Sequence, residues 1–281
     1  MTEGSAPADK FARLIEPLRS HPASSAILCD IDGTLAPIVD DPDRATVPDE
    51  AREVLAELAR RYALVACVSG RAALAARDLV GLAELTYAGN HGLELLPPGA
   101  RVAIAATETG PEGRAARDLV LGRDPGELES RGLRLEDKGP IQALHWRQAG
   151  DPEGAERLAR EIASAAERDG LEPHWGRKVL ELRPALGVHK GTAVKRLLSE
   201  QGIERALFGG DDRTDLDAFR ALRALVDRGA LRAAVCIGID SPEAPPELAD
   251  LADFIVGGPN DFLEVLRTLA PKSGESGGEG A

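Results

Sequence analysis

The chain is poor in aromatic residues, cysteine and net positive charge. Phe, Trp and Tyr make up 3% of its 281 residues, so the core must be built from the Ala, Leu and Val that dominate its 43% hydrophobic content. The formal net charge of -13 argues against a general nucleic-acid binder and against a protein of anionic membranes. An anionic ligand would therefore be held by a few local cations or by a metal ion, not by the overall field.

Cysteine usage and hydropathy indicate a reducing compartment. Cys29, Cys67 and Cys236 each lie in an apolar, strand-like run, and we interpret them as small buried hydrophobic residues. The odd count and the lack of a signal peptide predict a cytoplasmic protein. No apolar stretch approaches the roughly 18 residues that span a bilayer, so we expect no membrane association. The low aromatic content offers no clear dimer patch, so we expect a monomer.

Apolar runs alternate with helical patterns towards both ends of the chain. The expected strands are Ala26–Asp30, Ala63–Val68, Leu85–Ala88, Arg205–Phe208, Ala233–Ile237 and Asp253–Val256, and the expected helices are Pro48–Arg61, Ala72–Val80, Lys190–Gln201, Asp215–Val226 and Asn260–Leu269. Strands that alternate with helices predict an α/β fold with a Rossmann-like parallel sheet covered on both faces.

The middle of the chain has a different pattern. Helical periodicity near Glu112–Leu121 and over Pro152–Arg168 accompanies short strand-like runs at Leu133–Glu136, Ile141–Arg147, Leu171–Trp175 and Val179–Arg183. This pattern predicts an inserted α+β cap domain over residues 102–185, which interrupts a core made of residues 21–101 and 186–270. We expect residues 1–20, Met1–Lys10 above all, to be partly disordered and residues 271–281 to be a disordered tail, since both are small, polar and rich in Gly, Ser or Glu.

Two aspartates end the first expected strand. In the run Ile27–Leu35, the strand period of two puts Asp30 and Asp32 on the same side as the chain leaves the sheet. Two carboxylates at such a short distance repel each other unless a cation offsets their negative charge, and Mg²⁺ prefers oxygen ligands. One aspartate could then act as a nucleophile while the other moves protons. The alternative is a strand followed by an Asp-rich turn.

Four further clusters follow expected strands or open expected helices. Ser69 could hold a phosphate oxygen or simply cap a helix, and Lys190 could neutralise a phosphate or be a solvated surface lysine. The loop Asp211–Asp215 could supply metal ligands or favour a helix dipole. His91, in a turn bracketed by glycines, could be a structural turn residue. Because ligands bind at the carboxyl ends of parallel strands, this shared placement predicts one ligand crevice.

The order of these motifs resembles the haloacid dehalogenase-like phosphohydrolases, and within them most closely the trehalose-6-phosphate phosphatases. The resemblance covers roughly residues 25–270. The motifs that carry the subfamily likeness are Asp30–Ile38, Gly89–Glu94, Glu136–Gly139 with His145–Arg147, and Lys178–Pro184. The resemblance implies a phosphatase that acts on a sugar phosphate.

The resemblance also implies roles for individual residues. Asp30 would attack phosphorus and become an aspartyl phosphate, Asp32 would act as general acid and base, and Ser69 and Lys190 would hold the phosphoryl oxygens.

The implied cofactor is Mg²⁺. It would be held by the Asp30 carboxylate, the Asp32 backbone carbonyl and Asp211, with Asp215 or Asp212 acting directly or through water.

The inserted unit would be a cap that covers the crevice, excludes water and reads the sugar. Arg71 and His91 of the core and Glu136, Lys138 and Glu181 of the cap would bind the substrate. Without the resemblance, the three cap residues fit equally well as alternating charge on the outer face of a sheet.

The sequence departs from the family pattern at three places. The family often has Tyr where Ile31 stands, usually Tyr where Trp146 stands, and typically an acidic residue where Leu216 stands. The last departure removes one acidic group near the expected metal.

The function favoured is Mg²⁺-dependent hydrolysis of trehalose 6-phosphate through an aspartyl-phosphate intermediate. The alternatives are another substrate, such as a glycosyl-phosphoglycerate, sucrose phosphate or a hexose phosphate, or a phosphomutase. A non-catalytic regulatory module would have lost a nucleophile, acid or metal ligand, and this chain keeps them all.

Overall fold

A computed structural model describes residues 7–39, 44–105, 118–120, 122–123, 125–176, 178–199, 202–242 and 244–270. It divides into two compact units, Met1–Ile104 with His189–Ala281, and Ala105–Val188. The predicted disorder at residues 1–6 and 271–281, and the predicted helix over residues 112–117 and 121, lie outside the described residues. Among the helices that the structure describes, none is long and apolar enough to cross a membrane.

The first unit is built on an eight-stranded sheet in the order β12-β11-β10-β1-β2-β3-β4-β5. The strands are β1 Ser25–Cys29, β2 Leu64–Val68, β3 Thr86–Gly89, β4 Glu94–Leu96, β5 Ile104–Ala105, β10 Arg205–Gly210, β11 Ala233–Ile239 and β12 Phe254–Val256. The pairings from β12 through to β3 are parallel, and β4 pairs antiparallel with β3.

The helices of this unit are α1 Pro7–Ser20, α2 Asp49–Arg61, α3 Ala73–Val80, α6 Lys190–Ser199, α7 Asp215–Asp227, α8 Leu248–Leu251 and α9 Pro259–Leu269. The helix α2 illustrates how they form: it has acidic residues in its first turn, basic residues in its last, and buries the face of Ala51, Val54, Leu55 and Leu58. At its end, α3 stops at Gly81, whose positive φ suits a glycine.

Two separate apolar clusters cover the two faces of this sheet. One contains Ile27, Cys29 and Cys67, and the other contains Leu28 and Phe208. Neighbouring residues of one strand therefore belong to opposite clusters, as the strand period of two requires. The predicted α/β class, with a parallel sheet covered on both faces, is confirmed. The three cysteines are free and buried, as expected.

The second unit is a four-stranded antiparallel sheet in the order β6-β7-β9-β8 with helices against one face. Its elements are α4 Pro125–Ser130, β6 Arg134–Asp137, β7 Gln142–His145, α5 Pro152–Arg168, β8 Leu171–Gly176 and β9 Val179–Pro184. The face that packs on α5 is apolar, with Leu144, Leu180 and Leu182 fully buried. The opposite face carries charged side chains, which form a cluster described below.

Several elements were not expected from the sequence. Helix α1 begins at Pro7, so the predicted disorder of residues 1–10 is wrong from that residue onward. Its buried residues Ile15 and Leu18 join the core cluster, which gives this segment a packing partner that its polar start does not reveal. Strands β4 and β5 and helices α4 and α8 are two to six residues long, too short to show a period.

Parallel pairing brings the chemistry to one edge of the sheet. Cys29, the last residue of β1, is in register with Gly209 of β10 on one side and with Cys67 of β2 on the other. Asp30 extends the ladder by one bond, from its amide to the Gly209 carbonyl at 2.9 Å. The residues that follow β1, β2 and β10 therefore emerge side by side.

Candidate active site

A buried lysine meets the carboxylates that follow β1 and β10. The Nζ of Lys190, at the first turn of α6, lies 2.9 Å from Oδ1 of Asp30 and 2.7 Å from Oδ1 of Asp215. It also lies 3.8 Å from Oδ1 of Asp212. Its side chain is 2% exposed, so it is a buried cation that the surrounding carboxylates hold in place. The solvated-surface alternative for Lys190 does not fit this burial.

Burial alone would lower the pKa of Lys190, but Asp212, Asp215 and Asp30 outweigh it and raise that pKa well above its usual value. Lys190 is therefore charged at neutral pH and compensates part of the negative charge around it.

Asp215 organises the acidic loop that follows β10. Its Oδ1 accepts the Lys190 hydrogen bond, and its Oδ2 accepts the backbone amides of Asp211 at 2.9 Å and Asp212 at 3.0 Å. Asp212 in turn accepts from the amide and hydroxyl of Thr214 and from the amide of Asp215. The loop is thus closed on itself by its own side chains, as in an Asx-type turn.

The pKa values in this group reveal unbalanced negative charge. Burial, and then the repulsion of Asp212, Asp211 and Asp32, raises the pKa of Asp30 to about 8 although Lys190 opposes the change. Burial and Asp215 raise the pKa of Asp211 to about 7. One lysine therefore does not neutralise the carboxylates gathered at this edge, and a further cation would relieve them.

The carboxylates fit a hard divalent cation. Asp30, Asp211 and Asp215 each offer a carboxylate oxygen, and these oxygens lie within 4.8 Å of one another. Such an all-oxygen set suits Mg²⁺. Asp215 accepts three hydrogen bonds, from Lys190 and from two backbone amides, so it is the least available of the three. Asp32, whose backbone carbonyl is the expected ligand, follows Asp30 by two residues.

Neighbouring side chains hold Asp211 in position. Thr34 donates to its Oδ1 at 3.2 Å, and Ser241, which follows β11, donates to its Oδ2 at 2.7 Å. Gly33 has a φ of +83°, and a Cβ there would lie 2.2 Å from Oδ2 of Asp211. A glycine is required at this point both by the backbone conformation and by the closeness of the carboxylate. Sequence reasoning missed Ser241, because a lone serine after a strand carries no recognisable motif.

Asp32 is held by Arg71. The guanidinium donates from Nε to Oδ2 and from Nη2 to Oδ1, each at 2.7 Å, which makes a two-pronged ion pair. Arg71 was expected to bind the substrate, and in the structure its guanidinium contacts Asp32, the expected acid and base. Its side chain is 19% exposed and that of Asp32 is 41% exposed, so the pair lies at the surface of the site.

The turn after β3 supports the loop that carries Ser69. The amide of His91 donates to the Ser69 carbonyl at 2.9 Å, and the amide of Asn90 donates to the Arg71 carbonyl at 2.7 Å. His91 has a φ of 56°, is buried, and packs so closely on Gly70 that a Cβ there would lie 2.7 Å from Nε2. These contacts favour the structural reading of His91, and its substrate contact stays a prediction.

Glu94 completes this support. One of its oxygens accepts from the Asn90 side-chain amide, and the other accepts the backbone amide of Ala73 at the start of α3. It therefore connects the turn after β3 to the helix that follows the Ser69 loop. The motif Gly89–Glu94 marked this region in the sequence, but the role of Glu94 needed the structure.

The second unit has a charged cluster on the face of its sheet opposite helix α5. The Nζ of Lys138 lies 2.8 Å from Glu181 and 3.9 Å from Glu136, and the Nε of Arg183 donates to Glu181 at 3.0 Å. His145 contacts Glu136 at 2.8 Å. The three expected cap residues are therefore neighbours, and sequence reasoning had not included His145 or Arg183 with them.

The departures from the family pattern have simple structural outcomes. Leu216, where an acidic residue is typical, is 1% exposed and packs in the apolar cluster with Phe208 and Phe219. Trp146 is buried and meets Trp175 edge to face, with ring centroids 6.1 Å apart. Both Leu216 and Trp146 therefore belong to apolar clusters of buried residues.

The fold and these catalytic-type motifs define a class. A parallel α/β core whose central strand ends in Asp-x-Asp-Gly-Thr, with a serine, a buried lysine and an acidic loop at the adjacent strand ends, is that of a haloacid dehalogenase-like phosphohydrolase. The family model described as trehalose-phosphatase matches residues 28–238. The chain belongs to this family, whose members are phosphoric monoester hydrolases.

Individual proteins agree with this assignment. The chain is 34% identical over 262 residues to trehalose 6-phosphate phosphatase RA3 of Zea mays, covering 87% of this chain and 69% of that protein. It is 37% identical over 207 residues to the trehalose-phosphate phosphatase of Mycobacterium marinum, covering 70% of this chain and about half, 51%, of that protein. The C-terminal domain of the Candida albicans trehalose-6-phosphate phosphatase has the same fold, with a TM-score of 0.75, 23% identity and coverage of 96% and 99%.

Proposed function

We propose that this protein is a Mg²⁺-dependent phosphatase that hydrolyses trehalose 6-phosphate through an aspartyl phosphate on Asp30. The observation that carries the chemistry is the contact of Asp30 with the buried Lys190 beside Asp211 and Asp215. The substrate comes from the relatives, which are named for this activity. The chain spans only part of their length, so the substrate needs its own test.

Asp30 is well placed to be the nucleophile. It directly follows the central strand β1, it is buried, and Lys190 and a cation would keep its carboxylate ionised despite the burial that raises its pKa. In the first step an oxygen of Asp30 forms a bond to phosphorus as the bond from phosphorus to the sugar oxygen breaks.

Asp32 would move the proton in both steps. It gives a proton to the departing sugar oxygen, and it then takes a proton from the water that attacks phosphorus and breaks the bond to Asp30. Ser69 and Lys190 would hold the phosphoryl oxygens. Mg²⁺, held by Asp30, the Asp32 carbonyl and Asp211, would neutralise charge on the transferring phosphoryl group.

The cluster Glu136, Lys138 and Glu181 would bind the sugar. Its two carboxylates and its ammonium group are paired with one another and with Arg183, so the charges balance locally and the groups offer both donors and acceptors. Such a surface suits neutral hydroxyl groups better than a phosphate.

The test is phosphate release from a panel, with Mg²⁺ and with a chelator. The panel holds trehalose 6-phosphate, sucrose 6-phosphate, glucose 6-phosphate, a glycosyl-phosphoglycerate and an aryl phosphate. Metal-dependent preference for trehalose 6-phosphate would support the proposal, and preference for another member would replace the substrate and keep the mechanism. Asp30→Asn should abolish turnover and the trapped phosphoenzyme while the protein stays folded. Inactivity on every member would favour a regulatory module.

We also propose that the protein acts in the cytoplasm as a monomer. The three free, buried cysteines suit a reducing compartment. Fractionation of cells and light scattering of the purified protein test the two statements.

A further inference from the structure

The Asp32 carboxylate is fixed from outside its own loop. The backbone around it is tightly turned, because the amides of Leu35 and Ala36 both donate to the Ile31 carbonyl. The side chain is nevertheless 41% exposed. In the part of the chain that the structure describes, the hydrogen bonds to its two oxygens both come from Arg71.

Arg71 is itself held in place. Its amide donates to the Ser69 hydroxyl oxygen at 3.2 Å, and its carbonyl accepts from the Asn90 amide at 2.7 Å. The preceding Gly70 packs against the His91 ring. The guanidinium therefore extends from a backbone that hydrogen bonds hold to Ser69, which follows β2, and to Asn90, which follows β3. A planar fork with two parallel bonds fixes both the place and the orientation of a carboxylate, which a lysine cannot do.

We propose that Arg71 is a positioning residue that acts through Asp32, not a ligand of the substrate phosphate. It holds the proton-transferring carboxylate of Asp32 beside the loop of Ser69. This inference rests on the proposed function, since it takes Asp32 to be the acid and base of that reaction.

The two possible roles of Arg71 differ in how they depend on the leaving group. A sugar alkoxide must receive a proton as it departs, whereas a p-nitrophenolate departs without one. If Arg71 orients Asp32, its loss should slow transfer from the sugar phosphate far more than transfer from the aryl phosphate. If Arg71 binds phosphate directly, both substrates should suffer equally.

The experiment compares kcat/KM for trehalose 6-phosphate and for p-nitrophenyl phosphate with saturating Mg²⁺. General acid catalysis contributes about 100-fold to 10,000-fold, and misorientation forfeits part of it. We expect Arg71→Gln to lower kcat/KM about 30-fold on the sugar phosphate. The loss of kcat/KM on the aryl phosphate should be smaller than that by a factor of at least about ten. Arg71→Lys, which keeps the charge but not the fork, should recover part of the loss. Arg77→Gln, which breaks the exposed pair with Asp78, is the control.

A double-mutant cycle with Asp32→Asn gives the second readout. In that background Arg71→Gln should change single-turnover transfer from the sugar phosphate less than about threefold, because the group through which Arg71 acts is already lost. The same fold-loss in both backgrounds, or equal losses on both substrates, would overturn the proposal.

Failure of this inference is distinct from failure of the proposed function. If the wild-type protein is active and the Arg71 variants lose equal activity on the sugar phosphate and on the aryl phosphate, only the role of Arg71 is refuted. If the wild type prefers another sugar phosphate, the same comparison is made with that substrate. A wild type that is inactive on every phosphate monoester refutes both.

Discussion

Replacing Lys190 by methionine should strongly destabilise the metal-free protein. Methionine keeps the length and the apolar stem of the side chain but removes the charge that lies 2.7 Å from Asp215 and 2.9 Å from Asp30. Two unit charges about 3 Å apart attract by about 5–6 kcal/mol at an effective dielectric constant of 20, and desolvation offsets part of this. Removing one partner of a buried pair costs about 3–5 kcal/mol, because the other charge stays buried and uncompensated. We expect Lys190→Met to lower the free energy of unfolding by about 3–5 kcal/mol at pH 8.

The cost should depend on pH. Without Lys190, the buried carboxylates can escape their repulsion by taking up protons, so the pKa values of Asp30 and Asp215 should rise further and the loss of stability should be smaller at pH 5 than at pH 8. The assay is urea unfolding in EDTA at both pH values. Lys195→Met, on the exposed side of the same helix, is the matched control. Adding Asp215→Asn to Lys190→Met should recover stability at pH 8. A loss below about 1 kcal/mol at pH 8, or an equal loss at both pH values, would refute the reasoning.

Three further predictions concern the first unit, and the control variant of the first of them lies in the second unit. Gly33→Ala should lower the free energy of unfolding in urea by about 1–3 kcal/mol and weaken Mg²⁺ binding, because it adds both positive-φ strain and a Cβ against Asp211. Gly139→Ala is the control. Gly139 has a φ of +78° and open space around it, so this change adds the strain alone and should leave Mg²⁺ affinity unchanged. The pKa values of Asp30 and Asp211 are raised to about 8 and about 7, so the metal-free fold should lose stability as pH rises from about 4 through 8. Mg²⁺ should therefore raise Tm more at pH 8 than at pH 5.5. An equal shift in Tm at both pH values would contradict this. Glu94→Ala should cost about 1–3 kcal/mol and raise KM by displacing the Ser69 loop, whereas a change in stability with KM intact would limit Glu94 to a structural role.

The main elements of both units were predictable from local pattern. The run that ends at Asp30 is uniformly apolar and short, as a strand buried on both faces should be, and its observed bounds Ser25–Cys29 differ from the expectation by one residue at each end. Helix Pro152–Arg168 matches its prediction at both ends, because an Asp before Pro and a long amphipathic stripe mark it clearly. By contrast, β4 pairs antiparallel with β3, the last of the parallel strands, and three residues hold too little pattern to reveal that.

The sequence motifs brought Asp30, Asp32, Lys190 and Asp211 into one candidate site, because each stands near the expected carboxyl end of a strand or opens an expected helix. In the structure Asp30 contacts Lys190 and lies with Asp211 in one carboxylate group, and the roles of these residues stay predictions. The motifs could not reveal that Asp32 pairs with Arg71, since that contact depends on how two loops from separate strands approach each other.

The position of β1 in the middle of the sheet has a consequence for the order in which the enzyme is made. Its neighbours are β2, which follows it by about forty residues, and β10, which lies about 180 residues later and beyond the whole second unit. On a ribosome, Asp30, the proposed nucleophile, therefore emerges long before Lys190, which pairs with it. Until residues 190–215 have been synthesised, the nascent chain holds an aspartate without its counter-charge, in a sheet with an unpaired edge. We therefore expect the candidate active site to form late and in one step. The second unit can complete its own sheet before the sheet of the first unit is complete.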